Sequence, residues 1–158
     1  MEKYRVGLGF DLHKISEEKQ FLLLGGFKID CGLGLIAVSD ADVVLHAIAD
    51  AICGASSLGD IGDYFPPSDQ KNKGIDSKKI VNSILAKIKN NYKLVNIDIT
   101  IVSERPRLVA YKKEILQSLK DIFKIEDINL KIKSKEATEV LGGVDAMSCL
   151  AAVLVAKI

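Results

Sequence analysis

The stretch from Ser39 to Asp50 constrains the fold more than any other part of the chain. Val43, Val44, Leu45, Ala47, Ile48, Ala49, Ala51 and Ile52 make a helix that is apolar almost all the way round. Asp42, His46 and Asp50 fall four residues apart within it, so at 3.6 residues per turn they form one polar stripe. Burying unpaired charge costs several kcal/mol, so a buried helix with this stripe needs a partner for it. A metal ion or a charged substrate meets that need. Ser39 reads as the N-cap, with Asp42 at capping-box spacing, and the helix is expected from about Asp40 to Ser57. Asp42 also reads as a first-turn carboxylate complementing the helix dipole.

A second polar feature lies upstream. Residues 4–13 alternate, with Val6, Leu8, Phe10 and Leu12 on one face and Arg5, Gly7, Gly9, Asp11 and His13 on the other. This is a half-buried strand. Asp11 and His13 project from one face, and Gly7 and Gly9 leave that face bare, open to a ligand or another backbone. The chain has two histidines, and both sit among carboxylates on polar stripes. Two imidazoles and a carboxylate on rigid elements make a three-ligand zinc site with a fourth position for substrate. Taken singly, each histidine reads equally as a satisfied core or surface residue.

The remaining elements follow from periodicity. Phe21–Leu24 and Phe27–Ile29 read as two short strands around Gly25-Gly26, and residues 31–38 as an irregular connection. Leu58 to Asp69 is a loop with three carboxylates, Asp60, Asp63 and Asp69, which serve as turn formers or as ligands. Ser77–Asn91 and Arg107–Phe123 are amphipathic helices, Leu94–Ser103 and Ile128–Lys135 are strands, and Met147–Lys157 reads as a last, almost wholly apolar helix. Lys131, Lys133 and Lys135 form a solvated strand face, from which Lys135 can meet a phosphate. The expected fold class is α/β, an α+β sandwich. It has one mainly four-stranded sheet covered by helices on one side and a small β-ribbon insertion, in a single domain over residues 1–158. The two most apolar helices belong to a deep core or to an oligomer interface.

Composition excludes several functions. With 158 residues and a net charge of +1, the chain is long enough for a core and offers no bulk charge for nucleic acid or acidic membranes. Tryptophan is absent, which weakens base-stacking readings. No apolar run reaches about 18 residues, so no membrane span is expected. The charged opening Met1–Arg5 does not resemble a signal peptide. Cys31, Cys53 and Cys149 lack CxxC spacing and read as reduced thiols in a cytosol.

The motifs then become specific. Gly7-x-Gly9-Phe10-Asp11-x-His13, Leu24-Gly25-Gly26, Ser39-Asp40-x-Asp42-Val43-x-Leu45-His46-Ala47-x-x-Asp50-Ala51 and Leu58-Gly59-Asp60-Ile61-Gly62-x-x-Phe65-Pro66 occur in this order. Lys73-Gly74-x-Asp76-Ser77, Asn96-x-Asp98-x-Thr100 and Thr138-Glu139-x-Leu141-Gly142 complete the series. The set closely resembles 2-C-methyl-D-erythritol 2,4-cyclodiphosphate synthases over nearly the whole chain.

That resemblance implies a cytoplasmic or plastid-stromal homotrimer with active sites between neighbouring subunits. It implies Zn²⁺ on Asp11, His13 and His46, with Mg²⁺ or Mn²⁺ at Glu139. The implied substrate is a cytidine diphosphate-linked methylerythritol 2-phosphate, closed to a cyclic diphosphate with release of CMP in non-mevalonate isoprenoid synthesis. Asp50 is then the carboxylate supporting His46, and Thr138 and Glu139 act with it in catalysis. Ser39 joins the substrate site, Asp60, Ile61 and Gly62 meet the methylerythritol unit, and Phe65 to Asp69 adjoin it. Ser103 to Val109, including Arg107 and Leu108, form the cytidine pocket, and Lys135 or Ser134 stands in for a threonine-rich run. The chain departs from the family at Val38, where a phosphate-binding histidine is usual, at Ser134–Ala137, and in a shortened loop from Gly143 to Ser148. A zinc phosphodiesterase and a metal-binding trimer with weakened catalysis are the competing readings.

Overall fold

The computed structural model describes residues 3–158; Met1 and Glu2, part of the charged opening and of the expected 1–158 domain, lie outside the described residues. Seven strands and three α-helices follow the order β1 (Tyr4–Ser16), β2 (Phe21–Leu24), β3 (Phe27–Asp30), β4 (Gly34–Ile36), α1 (Val43–Ser56), α2 (Ser77–Ile88), β5 (Tyr92–Val102), α3 (Lys112–Phe123), β6 (Ile128–Lys133) and β7 (Ala146–Lys157). The main sheet has strand order β4-β1-β7-β5-β6, while β2 and β3 form a separate antiparallel pair. Only the β5–β6 pairing in the main sheet is parallel. Among the described residues no helix is long and apolar enough to cross a membrane.

The main sheet therefore has five strands rather than four, because Met147–Lys157 is a strand and not a helix and because β4 is added at one edge. Met147–Lys157 is the core of β7, hydrogen-bonded to β1 on one edge and β5 on the other. Met147, Cys149, Ala151, Val153 and Val155 are buried on the helix side. A central strand with apolar residues on both faces has the same composition as a buried helix, and periodicity cannot separate the two. The expected irregular segment after Cys31 likewise holds β4, which extends the sheet beside Lys14–Ser16 of β1.

The glycine face of β1 lies directly on α1. A Cβ added at Gly7 would stand 1.9 Å from the carbonyl oxygen of Ala51, and one at Gly9 would stand 1.9 Å from that of Ala47. The close approach suggested by the bare face is thus made by a helix backbone. Glycine opposite alanine is what permits it, since any larger pair would hold the layers farther apart. The opposite face of β1 is open: Val6, Leu8, Phe10 and Leu12 are 67%, 77%, 45% and 41% exposed.

The helix α1 begins at Val43 rather than Asp40, and its N-cap is Asp42 rather than Ser39. Ala41 takes a φ of 66°, which interrupts any helix started earlier. The Asp42 carboxylate accepts from the backbone N–H groups of Val44 (3.1 Å) and Leu45 (3.0 Å), and also from Gly25 (2.9 Å) and Gly26 (2.6 Å). It is fully buried, so one side chain caps the helix and anchors the β2–β3 turn to it.

The glycine contact gives a direct test. Gly9→Ala should lower stability by about 2–3 kcal/mol through overpacking, read from the denaturant midpoint. An unchanged midpoint would show that β1 and α1 are not in backbone contact there.

Candidate metal centre

The register of β1 on α1 determines what meets next. Gly7 faces Ala51 and Ala55, and Gly9 faces Ala47 and Ala51. Two residues farther along the strand, Asp11 therefore arrives beside His46, and His13 follows on the same face. Asp11 Oδ2 stands 2.9 Å from His13 Nε2 and 2.9 Å from His46 Nδ1. The two imidazole nitrogens are 3.3 Å apart, and the rings meet edge to face at 75°.

Tetrahedral zinc with bonds of about 2.0–2.1 Å spaces its ligand atoms about 3.3 Å apart. The three observed separations fall at or just inside that value, so this donor set fits a divalent ion. Three lone pairs so close repel unless a cation or a proton lies among them. Burial works against charge on His46, but the hydrogen bond and negative charge of Asp11 outweigh it and raise the imidazole pKa above its ordinary value. Burial also opposes ionisation of Asp11, yet the hydrogen bonds from His13 and His46 hold its carboxyl well below the usual range.

The other nitrogen of His46 is fixed from behind. His46 Nε2 is 2.9 Å from Ser77 Oγ and 3.2 Å from Ser39 Oγ. Ser77 Oγ donates to Asp40 Oδ1, and Ser77 N donates to Asp40 Oδ2 at 2.9 Å. Because the Ser77 proton goes to Asp40, its oxygen accepts from Nε2–H of His46. With Nε2–H held there, Nδ1 is the nitrogen that faces Asp11 and His13 and can exchange its proton for a cation. Asp40 and Ser77 therefore supply the support expected of Asp50. Asp50 instead accepts from Ile61 N at 3.3 Å and secures the loop after α1. The sequence did contain a signal for Ser77, the Lys73-Gly74-x-Asp76-Ser77 motif, but nothing in its spacing links it to His46.

A cavity of about 340 Å³ opens beside the triad. Of the residues expected at the site it brings together Asp11, His13, Ser39, His46, Ile61, Gly62 and Phe65, and it adds Asn72, Ile75 and Ile80. Val38 lines it and is half exposed, so an apolar side chain stands where the resemblance led to the expectation of a histidine. Asp60 does not line it: its carboxylate caps the 3-10 turn Ile61–Asp63. Asp69 caps the turn Gln70–Asn72 and borders an adjoining cavity with Lys73.

The other expected residues lie elsewhere in the chain. Arg107 and Val109 are exposed, whereas Leu108 is buried in the core and offers only its backbone. Ser103 Oγ donates to the carbonyl of Arg105 at 2.7 Å. Thr138 and Glu139 are exposed on a separate turn. Glu139 presents a hard oxygen donor of the kind that Mg²⁺ or Mn²⁺ takes together with waters and phosphates. Lys135 is a correction: it is buried, and its ammonium donates to the carbonyls of Leu141, Gly143 and Ala146 at 2.7, 2.6 and 2.6 Å. With all three protons used it has none for a phosphate.

The YgbB family pattern matches residues 4–156. The chain belongs to the YgbB family. It is 44% identical over 147 residues to the 2-C-methyl-D-erythritol 2,4-cyclodiphosphate synthase of Clostridium acetobutylicum, covering 91% of this chain and 94% of that protein. The fold matches the bifunctional IspDF from Campylobacter jejuni with TM-score 0.93 and 32% identity, over 100% of this chain and 43% of that longer one. It matches IspF of Plasmodium falciparum, solved as a CDP complex, with TM-score 0.83 and 31% identity over 98% and 96% of the two chains. The half-buried triad is thus a candidate divalent-metal site in a member of the YgbB family.

Asp40→Asn should weaken zinc binding about 10–100-fold, the usual effect of losing a group that orients a ligand. Asp50→Asn should leave it within about twofold. Competition against a chromophoric chelator measures both, and equal affinities in the two variants would refute the His46–Ser77–Asp40 assignment.

Proposed function

We propose that this chain converts 4-diphosphocytidyl-2-C-methyl-D-erythritol 2-phosphate to 2-C-methyl-D-erythritol 2,4-cyclodiphosphate and CMP, a step of non-mevalonate isoprenoid synthesis. It acts as a phosphorus–oxygen lyase. The observation that carries this reading is the half-buried Asp11–His13–His46 triad facing a largely apolar cavity in a chain of this family. Three free cysteines fit a reducing compartment, and the reading places the reaction in cytoplasm or in a plastid-like stroma.

In the reaction an oxygen of the 2-phosphate attacks the β-phosphorus. A new P–O bond closes the eight-membered ring, the bond from the β-phosphorus to the bridging oxygen of the α-phosphate breaks, and CMP leaves with that oxygen. The nucleophile is already an anion, so little proton transfer is needed and catalysis rests on positioning and charge stabilisation. Bound divalent ions supply positive charge to the phosphate oxygens.

The protein's own residues do the rest. Asp11, His13 and His46 would hold the zinc, and Ser77 and Asp40 aim His46. Ser39, at the cavity wall, is placed to donate to substrate. Ile61, Gly62 and Phe65 form a wall that excludes water from the phosphorus, favouring internal attack over hydrolysis. Asp60 and Asp69 keep the loops on either side of Phe65 in shape through their caps. Asp50 holds Ile61 in that wall.

The remaining contacts come from a neighbouring copy. Ser103, Arg107, Leu108 and Val109 receive the cytidine, largely through backbone groups, while Thr138 and Glu139 bring the second divalent ion. The open face of β1, with Val6, Leu8, Phe10, Leu12 and nearby Leu150, supports assembly as a homotrimer, since a monomer rarely leaves such a row uncovered. Val38 leaves one phosphate contact fewer.

Turnover of the cytidine substrate tests the reading. Wild-type protein should release CMP and the cyclic diphosphate in equal amounts, and His46→Ala should lower the rate at least about a hundredfold. A linear phosphate product would favour a phosphodiesterase instead. Zinc binding without CMP release would favour a trimer with degraded catalysis.

A further inference from the structure

Lys135 departs from its surroundings. It is 5% exposed, while Ser134, Glu136, Ala137, Thr138, Glu139 and Val140 around it are all exposed. Every polar atom it has is engaged. Its N–H donates to Glu104 Oε2 at 2.8 Å. Its carbonyl accepts from Thr138 N at 2.9 Å and from Thr138 Oγ1 at 2.6 Å. Its ammonium donates to three carbonyls of the following turn, those of Leu141, Gly143 and Ala146.

That turn is a 3-10 segment, Val140–Asp145, whose helical geometry is broken at Leu141, Gly142 and Gly143. Glu136, Ala137 and Leu141 take φ values of 50°, 56° and 54°, in the left-handed region that disfavours side chains. Three carbonyl oxygens pointing at one spot repel each other unless a cation sits there, and a buried ammonium with three N–H bonds answers that requirement. One of the three belongs to Gly143, and a Cβ there would stand 2.7 Å from Glu139 Oε2. The Glu139 carboxylate therefore lies over the residue that Lys135 fixes. The same unit is tied to the 103–109 segment through Glu104, and through Arg105, which pairs with Glu17 and Asp145 and donates to the carbonyl of Val144.

We infer that Lys135 is a positioning residue: its ammonium holds the 138–146 turn so that Glu139 presents its carboxylate to a divalent cation. This rests on the reading of Glu139 as the ligand of the second ion. It gives the altered Ser134–Ala137 segment a purpose. The lysine that looked like a replacement phosphate donor instead orders the turn from inside.

The test uses zinc-loaded, full-length protein and Mn²⁺, whose free fraction is read by electron paramagnetic resonance. Lys135→Met keeps the length of the side chain and removes all three donors, while Lys135→Gln restores two. Glu139→Gln should weaken Mn²⁺ binding tenfold or more. Lys135→Met should do the same with one zinc per chain retained, and Lys135→Gln should fall between it and wild type. Hydrogen exchange at the amides of residues 140–146 should speed up tenfold or more in Lys135→Met.

Wild-type Mn²⁺ affinity in both Lys135 variants, with a weakened Glu139→Gln, would overturn the inference. If Glu139→Gln binds Mn²⁺ like wild type, the reading of Glu139 fails instead. The hold on the turn is then judged by exchange alone, and unchanged protection in Lys135→Met overturns it. Should Lys135→Met fail to fold, Lys135→Gln carries the same comparisons.

Discussion

The contact between the β1 backbone and the α1 backbone is the constraint on which the site depends. Gly7 and Gly9 meet Ala47, Ala51 and Ala55 so closely that neither layer has room for a side chain there. A joint of this kind permits little sliding, because a shift by one residue turns the strand's other face toward the helix. Once the glycines are seated, the next inward-facing strand positions are Asp11 and His13, and the first inward helix turn carries His46. The metal ligands are brought together by packing that contains none of them.

Two carboxylates, Asp42 fully buried and Asp40 half-buried, then fix the parts that packing leaves free. Asp42 satisfies two N–H groups at the start of α1 and two in the Gly25–Gly26 turn, so the helix cannot wind farther back without breaking four hydrogen bonds. Asp40 acts through Ser77 on the far nitrogen of His46, which selects the tautomer the ion needs. Removing either carboxylate would orphan buried donors, each costing about 1–3 kcal/mol. The polar stripe of α1 thus divides by role: Asp42 caps, His46 ligates and Asp50 holds a loop.

The Asp11–His13–His46 cluster was legible in the sequence because its chemistry is local. An Asp-x-His pair on an alternating strand shares a face, and a histidine on an apolar helix needs a partner. Asp42 was legible as a carboxylate at the start of the helix, whereas the cap itself was placed three residues early, at Ser39. The Met147–Lys157 segment was misread because a strand buried on both edges shows no periodicity of its own, and the sheet, with β4 also added at one edge, has one strand more than expected. Asp40 and Ser77 are 37 residues apart, so their link to His46 exists only in three dimensions. Lys135 was misread because a lysine on an alternating strand normally faces water, and only the fold of the following turn draws its ammonium inward. For the residues from Ser103 to Val109 and for Thr138 and Glu139, no pattern within one chain connects them to the triad, and their roles rest on family likeness.

The account turns on zinc being held by two imidazoles and one carboxylate, without sulfur. Zinc K-edge X-ray absorption on the protein with one equivalent of Zn²⁺ tests this directly. The expected spectrum has nitrogen and oxygen neighbours at about 2.0–2.1 Å with the outer-shell pattern of two imidazoles. A sulfur shell at about 2.3 Å, or an unchanged two-imidazole pattern when either His13 or His46 is replaced by alanine, would contradict it.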